Sequence, residues 1–488
     1  ISLHRAFAQR FKTSGQIEAS LLLAHHLEGA GEPLLAAQSY LKSAREVLRL
    51  NAFQDAIDRC AAGIREAEKL ERTASRDILL AKLHRTVARA LLSSGQPDAA
   101  IRRARDAVNL ARSGEDLQEM TQAVLDLAVM EGATLQIVEQ RSDAAVAVEN
   151  ARLCDDRALE AQSLVQQASA ARELGMREEA LQASHSAYDL ALKCGNAGVA
   201  LTVLEERLRE QLTWWLFNDA LETARTGLDA ARRLEPFYEA AFLQARCALW
   251  YLLERFVEAE SELPTALRIA NENVAGSQES ILAPLHSQPY LQFSCHYMAS
   301  KIAVAQQQWD QAIVTADNAA ALTNVAKLPR YSEALLLLRI DALLQRNLPG
   351  DSEAARDLTS TFGESRRAQG TIGWSDCIEL ARARVAARIR MPDASAQLRC
   401  AVDTLEENAH GALLDIDVAF ARLAEAAFEV DEIAVAHRAR ARSKFYKSRR
   451  LASAGAAWGG SIQAVGYGTP SGAVTKAVFS QSELKDRL

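Results

Sequence analysis

Proline is scarce in this chain, 10 residues in 488, and glycine numbers only 23. With so few breakers, long helices can run uninterrupted. Runs of Val, Ile, Thr and Tyr are almost missing, which excludes a sandwich or barrel of strands. No apolar stretch of about 18 residues occurs, and residues 1–20 lack the basic, apolar and small-residue blocks of a signal peptide, so the chain reads as cytoplasmic with no membrane span. Seven cysteines (Cys60, Cys154, Cys194, Cys247, Cys295, Cys377 and Cys400) stand far apart with no CxxC pair, and read as buried, reduced thiols. The motifs GxxxxGK[ST], HExxH, GxSxG and the EF-hand loop are all absent. His25 and His26 are adjacent, so on a helix they point about 100° apart and do not chelate one metal. Gly466 to Gly472 with Lys476 looks like a phosphate loop, but no strand-to-helix unit surrounds it. The expectation is therefore a chain with no catalytic residue, no metal and no cofactor.

What is present is Ala, Leu, Arg, Glu and Gln in quantity, residues that lose little rotamer freedom in a helix. A length of 488 residues exceeds what one core supports, so the choice is several domains or one extended array. The 56 basic against 63 acidic residues give a charge of -7, which favours solubility and makes nucleic acid an unlikely target for the chain as a whole.

An internal repeat decides for the array. Leu83 to Ala111 contains an apolar helix face, a Gly95-Gln96-Pro97 turn and a second helix carrying Ala100, Ala104 and Ala107. Small residues there let the second helix sit close against the first, and the block resembles a tetratricopeptide repeat. Comparable blocks recur, and their anchoring alanines, Ala100, Ala145, Ala180, Ala220, Ala259 and Ala312, are 45, 35, 40, 39 and 53 residues apart. The fold expected is all-α, a tetratricopeptide-like solenoid of helical hairpins wound as a right-handed superhelix, with roughly eight or nine helix pairs of irregular period. Pro33, Pro97 and Pro236 sit at helix starts, and Asn51 with Gln54 resembles a capping box. Residues 71–330 hold the repeats. Within them Asn271 to Pro289, with Gly276 and Pro284, cannot be one regular helix and reads as an inserted loop. Residues 331–450 complete or cap the solenoid, with helices expected at 331–346, 351–368, 374–389, 394–408, 413–428 and 431–448. Residues 451–488, rich in Gly, Ser and Ala, read as a flexible tail.

Residues 1–70 carry a more specific likeness. The run Leu23-Ala24-His25-His26-Leu27-Glu28-Gly29-Ala30-Gly31-Glu32-Pro33, followed by Ala36, Ala37 and Ala44 and preceded by Leu3-His4-Arg5, resembles the helical arm of bacterial STAND-type signalling ATPases. That group includes regulators similar to the maltose activator, LuxR-type regulators and ATPases fused to adenylate cyclases. The resemblance implies a nucleotide-binding domain and winged helix before Ile1, and a repeat arm that senses a protein or a small-molecule inducer. No ATP-binding residue is carried over, because no Walker motif is present, and any ATPase or cyclase activity would belong to a preceding segment. Two other readings stay open: a standalone scaffold that assembles other proteins, and a helical-toroid enzyme, which requires titratable side chains converging in one cavity.

Two features are candidate partner contacts. Trp214-Trp215 and, one repeat later, Trp250-Tyr251 place large aromatics at hairpin corners, where adjacent residues cannot both face the core. Residues 436–450 hold Arg438, Arg440, Arg442, Lys444, Lys447, Arg449 and Arg450 with no acid, directly after Glu429, Asp431 and Glu432. Arg440, Arg442 and Lys444 are read as a contact for an acidic partner, against the plainer reading of a solvated helix end whose charge complements the dipole.

Overall fold

The computed structural model describes residue 4 and residues 17–234, 236–272, 288–322, 328–360, 374–407 and 416–457. The described residues form 21 helices. They are α1 (Ile17–Gly29), α2 (Pro33–Leu48), α3 (Phe53–Glu68), α4 (Ala74–Ser93), α5 (Pro97–Ser113), α6 (Leu117–Ala133), α7 (Ile137–Leu153), α8 (Arg157–Glu173), α9 (Arg177–Cys194) and α10 (Ala197–Thr213). There follow α11 (Phe217–Leu234), α12 (Pro236–Leu252), α13 (Phe256–Asn271), α14 (Gln288–Ala305), α15 (Trp309–Ala321), α16 (Pro329–Arg346), α17 (Asp351–Ser360), α18 (Trp374–Arg388), α19 (Ala394–Glu407), α20 (Ile416–Glu429) and α21 (Ile433–Ala457). None of them is long and apolar enough to cross a membrane.

One turn geometry joins the two helices in eight of the hairpins. The residue before the second helix's N-cap adopts a left-handed backbone at Asn51, Gly95, Leu135, Gly175, Trp215, Glu254, Gln307 and Asp431. In each case the next N–H bonds five residues back, as from Gln96 to Leu91 O at 2.9 Å, Gln136 to Glu131 O at 2.8 Å and Leu216 to Gln211 O at 2.8 Å. This is the Schellman closure, which satisfies carbonyls that the ending helix leaves orphaned. Five residues after the left-handed position stands a fully buried small residue, Ala56, Ala100, Ala180, Ala220, Ala259, Ala312 or Ala436.

The third hairpin departs from this in an informative way. Its anchor is Gln140, 2 % exposed, while the expected anchor Ala145 is exposed. Room for Gln140 comes from Gly132 on the partner helix, where an added Cβ would lie 2.7 Å from Gln140 Nε2. With Gln140 in place the anchors run 100, 140, 180, 220 and 259, so the expected irregularity resolves into a period near 40 up to the 53-residue step. Asn51 also differs from expectation. It occupies the left-handed turn, the N-cap of α3 is Ala52 with no side-chain bond, and Gln54 bonds Asp58 instead.

The even-numbered helices α2 to α14 each pack on the next of their kind, as do α16 on α18 and α18 on α20. Among the odd-numbered second helices of the described residues only α19 with α21 and the distant pair α11 with α21 come that close. Closer packing on the even-numbered side makes that side the inside of the curve. The curve is tight enough for distant segments to meet. Leu328 is buried in the core cluster of α2 to α10, and Trp215 packs on the cluster formed by α18 to α21. Arg450 of α21 is buried and bonds the Leu252 carbonyl, Glu254 at 2.9 Å and Asp417 at 2.8 Å. Helix α21 continues through Ala457, with Ala454 buried in the second core cluster, so its order extends past Leu451. Residues 458–488, including the Gly466 to Gly472 run, and most of the 271–289 insertion lie outside the described residues, as do 361–368 of the helix expected at 351–368.

Cys60, Cys247 and Cys295 are buried, as the pattern implies, and desolvation pushes the Cys60 and Cys295 thiols up to about 12. Cys154 and Cys194 are only half-buried at helix ends, and Cys400 is exposed because it lies on the outward face of α19, beside the exposed Arg399. The side chain of Cys377 lies outside the described residues.

Gly227 of α11 approaches α12 so closely that a Cβ would fall 2.1 Å from Phe242 Cε1. Phe242 is fully buried and has no room to withdraw. Gly227→Ala is expected to lower unfolding free energy by about 1–3 kcal/mol, measured by urea denaturation. Gln307→Gly, at an exposed left-handed turn residue, is expected to raise it by about 0.5–1 kcal/mol.

Candidate partner-binding groove

The 40-residue register places equivalent side chains of successive first helices on one inner stripe. Counting 13, 9, 6 and 2 residues back from each left-handed turn gives positions one helical face apart. In the first hairpin these are Gln38, Lys42, Arg45 and Arg49, all exposed; in the second, Lys82, Thr86, Arg89 and Ser93. The third gives Gln122, Asp126, Val129 and Ala133, the fourth Gln162, Gln166, Ser169 and Glu173, and the fifth Thr202, Glu206, Arg209 and Thr213. On this stripe Asp126, Val129, Ala133, Gln162, Gln166, Glu173 and Thr202 are buried, and Arg45 and Arg209 are not. Solvent reaches both side chains, yet desolvation by surrounding protein is the largest influence on each guanidinium. For Arg45 the neighbouring Arg85 and Arg89 add to it, holding its pKa below the ordinary value.

Ion pairs tie one inner helix to the next. Arg85 Nε donates to Asp126 at 2.8 Å, and its NH1 donates to Glu119 at 2.7 Å and Gln122 at 2.6 Å; Arg89 NH2 donates to the same Asp126 at 2.7 Å. Arg172 bonds Glu206 and, at 3.2 Å, Glu210, whose carboxyl burial pushes up to about 7 against the pull of Arg172. Arg209 donates to Tyr290 of α14 at 3.2 Å, crossing the inside of the curve. Farther along, Arg384 pairs with Asp341 at 2.7 Å and Arg388 with Glu429 at 2.6 Å. By contrast Lys42, Arg45, Arg49 and Lys82 have no ion-pair partner among the described residues. The basic end of the groove is thus open, and its middle is internally neutralised.

Each residue singled out in the sequence has a definite place. Trp214 is 8 % exposed and donates Nε1–H to Glu210 at 2.8 Å. Trp215 is the left-handed turn residue of its hairpin, half-buried, and its indole N–H is buried without a hydrogen-bond partner among the described residues. Trp250 is half-buried under Arg255, and Tyr251 lies against Phe256 and under Lys301. The basic run on α21 is largely engaged within the chain. Arg438 pairs with Asp403 and Glu406, Arg442 with Glu406 at 2.9 Å, and Lys447 with Glu254 at 3.0 Å. Arg440 is exposed near the Phe428 ring, and Lys444 is exposed. The structure does not gather the aromatic and basic candidates into one site. Tyr40 instead draws together His25, at 2.9 Å, and Glu28, to which its hydroxyl donates at 2.5 Å, while His26 meets His4 at 3.1 Å; these are packing contacts between α1 and its surroundings. No group of three or more His, Cys, Asp or Glu side chains able to hold a metal occurs among the described residues.

The inner stripe was missed because no single motif marks it. Its signal is positional and emerges only once the turns are aligned.

No protein-family model matches the chain, and no curated protein matches it in sequence. Solved structures do. A Rap protein complexed with competence and sporulation factor superposes with a TM-score of 0.51 at 15 % identity, covering 86 % of this chain and 99 % of that one. The anaphase-promoting-complex hetero-tetramer Cut9–Hcn1 gives a TM-score of 0.44 at 12 % identity, over 94 % of this chain and 90 % of that one. The fold is a tetratricopeptide-type helical solenoid. At these identities the likeness is one of fold.

A buried carboxyl between hairpins offers a test of the packing. Glu131 of α6 is 2 % exposed, and burial, then the negative Asp143 and Glu139 of α7, push its pKa up to about 9 against the attraction of Arg105 on α5. The native state therefore holds this proton where the unfolded chain, near 4.5, has lost it. Stability contributed by the protonated form is fully present below the unfolded value and falls as pH rises toward 9, by at most about 1.4 kcal/mol per unit. Glu131→Gln is expected to flatten that decline between pH 5 and 9, read as the urea midpoint against pH.

Proposed function

We propose that the chain is a non-catalytic partner-binding module that receives a peptide or protein segment along the inner face of its solenoid. The observation that carries this reading is the column of equivalent positions on successive inner helices, open to solvent on α2, partly open on α4 and largely buried from α6 onward, held in register by a turn repeated every 40 residues or so. Aligned side chains on a rigid concave scaffold suit recognition of an extended ligand, which can touch several repeats at once. A neighbour in fold, the Rap protein, is a complex with a factor, which agrees with a solenoid of this kind serving as a receptor. No cofactor is needed for this role.

A finer reading is that the module is the regulatory arm of a bacterial signalling ATPase. Support comes from the segment around His25 to Pro33 and from the coiling itself. Because Arg450 closes the curve onto residues nearly 200 positions earlier, a ligand bridging inner helices changes curvature only by working against that clamp, and so couples binding to shape. A Walker A loop and winged helix encoded upstream of Ile1 would support this arm; a start codon at Ile1 would leave a standalone scaffold.

The binding role is tested by photo-cross-linking in the native cells. Benzoylphenylalanine at Ser169, on the inner stripe, is expected to capture a discrete partner, and at Asp219, exposed on an outer helix, to capture none. Equal capture at both positions, or none at either, would refute an inner-face site.

A further inference from the structure

We propose that the cleft between the outer helices α3 and α5 is a second binding site, one that takes a small amphipathic anion with an apolar body and a carboxylate or phosphate head. It lies on the outer side of the solenoid, apart from the inner stripe, and does not depend on what that stripe binds.

The cleft follows from the curve. First helices pack on one another, whereas α3 and α5 are second helices and stand farther apart. The opening between them is a cavity of about 610 Å³, within the roughly 300–1,000 Å³ of sites that enclose small molecules. Val87 and Leu91 of α4 form its floor, and the half-buried Ile57 of α3 and Ala99 of α5 supply apolar wall. On α5 the cavity residues Ala99, Arg102, Arg103 and Asp106 follow at helical spacing, so one face carries the apolar wall and the charges together.

Those charges do not balance. Arg102, Arg103 and Arg105 line the cavity against the single carboxylate of Asp106. Arg102 has no ion-pair partner among the described residues. Arg103 stands 3.7 Å from Asp106, beyond hydrogen-bond reach. Arg105 is 3.9 Å from Glu131, whose carboxyl, pushed up to about 9 by burial, keeps its proton at neutral pH and cancels no charge. His84 of α4 adds an independent sign of a missing ligand. It is 9 % exposed, and its Nδ1 is buried without a hydrogen-bond partner among the described residues, 3.7 Å from the Asp106 carboxylate of the cavity wall. Burial first, and then Arg103, hold this imidazole below its ordinary pKa against the pull of Asp106 and Glu68.

Unmet guanidinium donors beside an apolar floor suit an anion that also has a body to bury, because its charge-assisted bonds then form where solvent is partly excluded. A long polyanion fits less well. The next outer helix, α7, turns Val138, Val146 and Leu153 to solvent, so the cations do not continue as a track.

Isothermal titration calorimetry on the full chain provides the test, with octanoate, octyl phosphate, octan-1-ol, acetate and inorganic phosphate as probes. Octanoate or octyl phosphate is expected to bind about tenfold or more tightly than octan-1-ol and than its own bare anion, an effect of about 1.4 kcal/mol; the tighter of the two identifies the head group. Arg102→Gln with Arg103→Gln should bring that amphiphile down to the level of octan-1-ol. Ala99→Phe, which fills the cleft from its wall, should weaken it about tenfold with unchanged circular dichroism, and Arg233→Gln on α11 should change nothing. Amphiphiles that bind no better than octan-1-ol, a preference that survives the α5 substitutions, or inorganic phosphate binding as tightly as octyl phosphate would overturn the proposal. Cross-linking at Ser169 reports on the inner face alone, so either site can fail without the other.

Discussion

Everything in this molecule depends on how closely two helices approach where the chain reverses. The left-handed turn residue fixes the exit direction, and a fully buried small residue five positions later lets the second helix settle against the first. A non-glycine residue in that backbone region costs roughly 1–2 kcal/mol, and Asn51, Leu135, Trp215, Glu254, Gln307 and Asp431 all accept it. The compensation is the Schellman bonding plus the close contact that follows. Because the same device recurs, helices of one kind stack along one side and their side chains fall into columns.

Those columns explain why so many charges sit inside. Burying an ion pair is seldom a net gain in stability, but removing one partner is costly, so Arg85, Asp126, Arg172 and Glu210 fix which inner helix lies against which. Arg450 does the same at longer range, holding the last helix against Glu254 and Asp417. The basic run that includes it looks like a ligand site in sequence. In the fold most of it belongs to a clamp that sets the curvature, and the open cations lie at the other end, on α2 and α4.

Much of the architecture could be read from residue types. Ala100, Ala180, Ala220, Ala259 and Ala312 are all fully buried, as helix-period small residues imply, and Gly95, Gly175 and Pro97 mark their turns correctly. The left-handed backbone itself was not legible where a turn lacks glycine, as at Leu135 and Gln307, although Ala220, Ala259 and Ala312 still mark the anchors of three such hairpins. The expected anchor slipped by five residues at Ala145 because the true anchor, Gln140, is large and polar and is accommodated by a glycine on the facing helix. The inner stripe was hidden for a related reason. Lys42, Arg45 and Lys82 look like ordinary helix-surface charges until the turns are aligned and their shared face appears.

The most direct test of the central claim is a double-mutant cycle between Gly132 and Gln140, measured by urea denaturation. If the two residues are one close contact in which the small partner has changed sides, Gly132→Ala should be more favourable in the Gln140→Ala background than in the native one by at least about 1 kcal/mol. The double variant, which restores the alanine anchor used by the other hairpins, should then approach native stability. Simple additivity of the two substitutions would contradict the account, because it would mean that the helices do not meet there in the way the repeat requires.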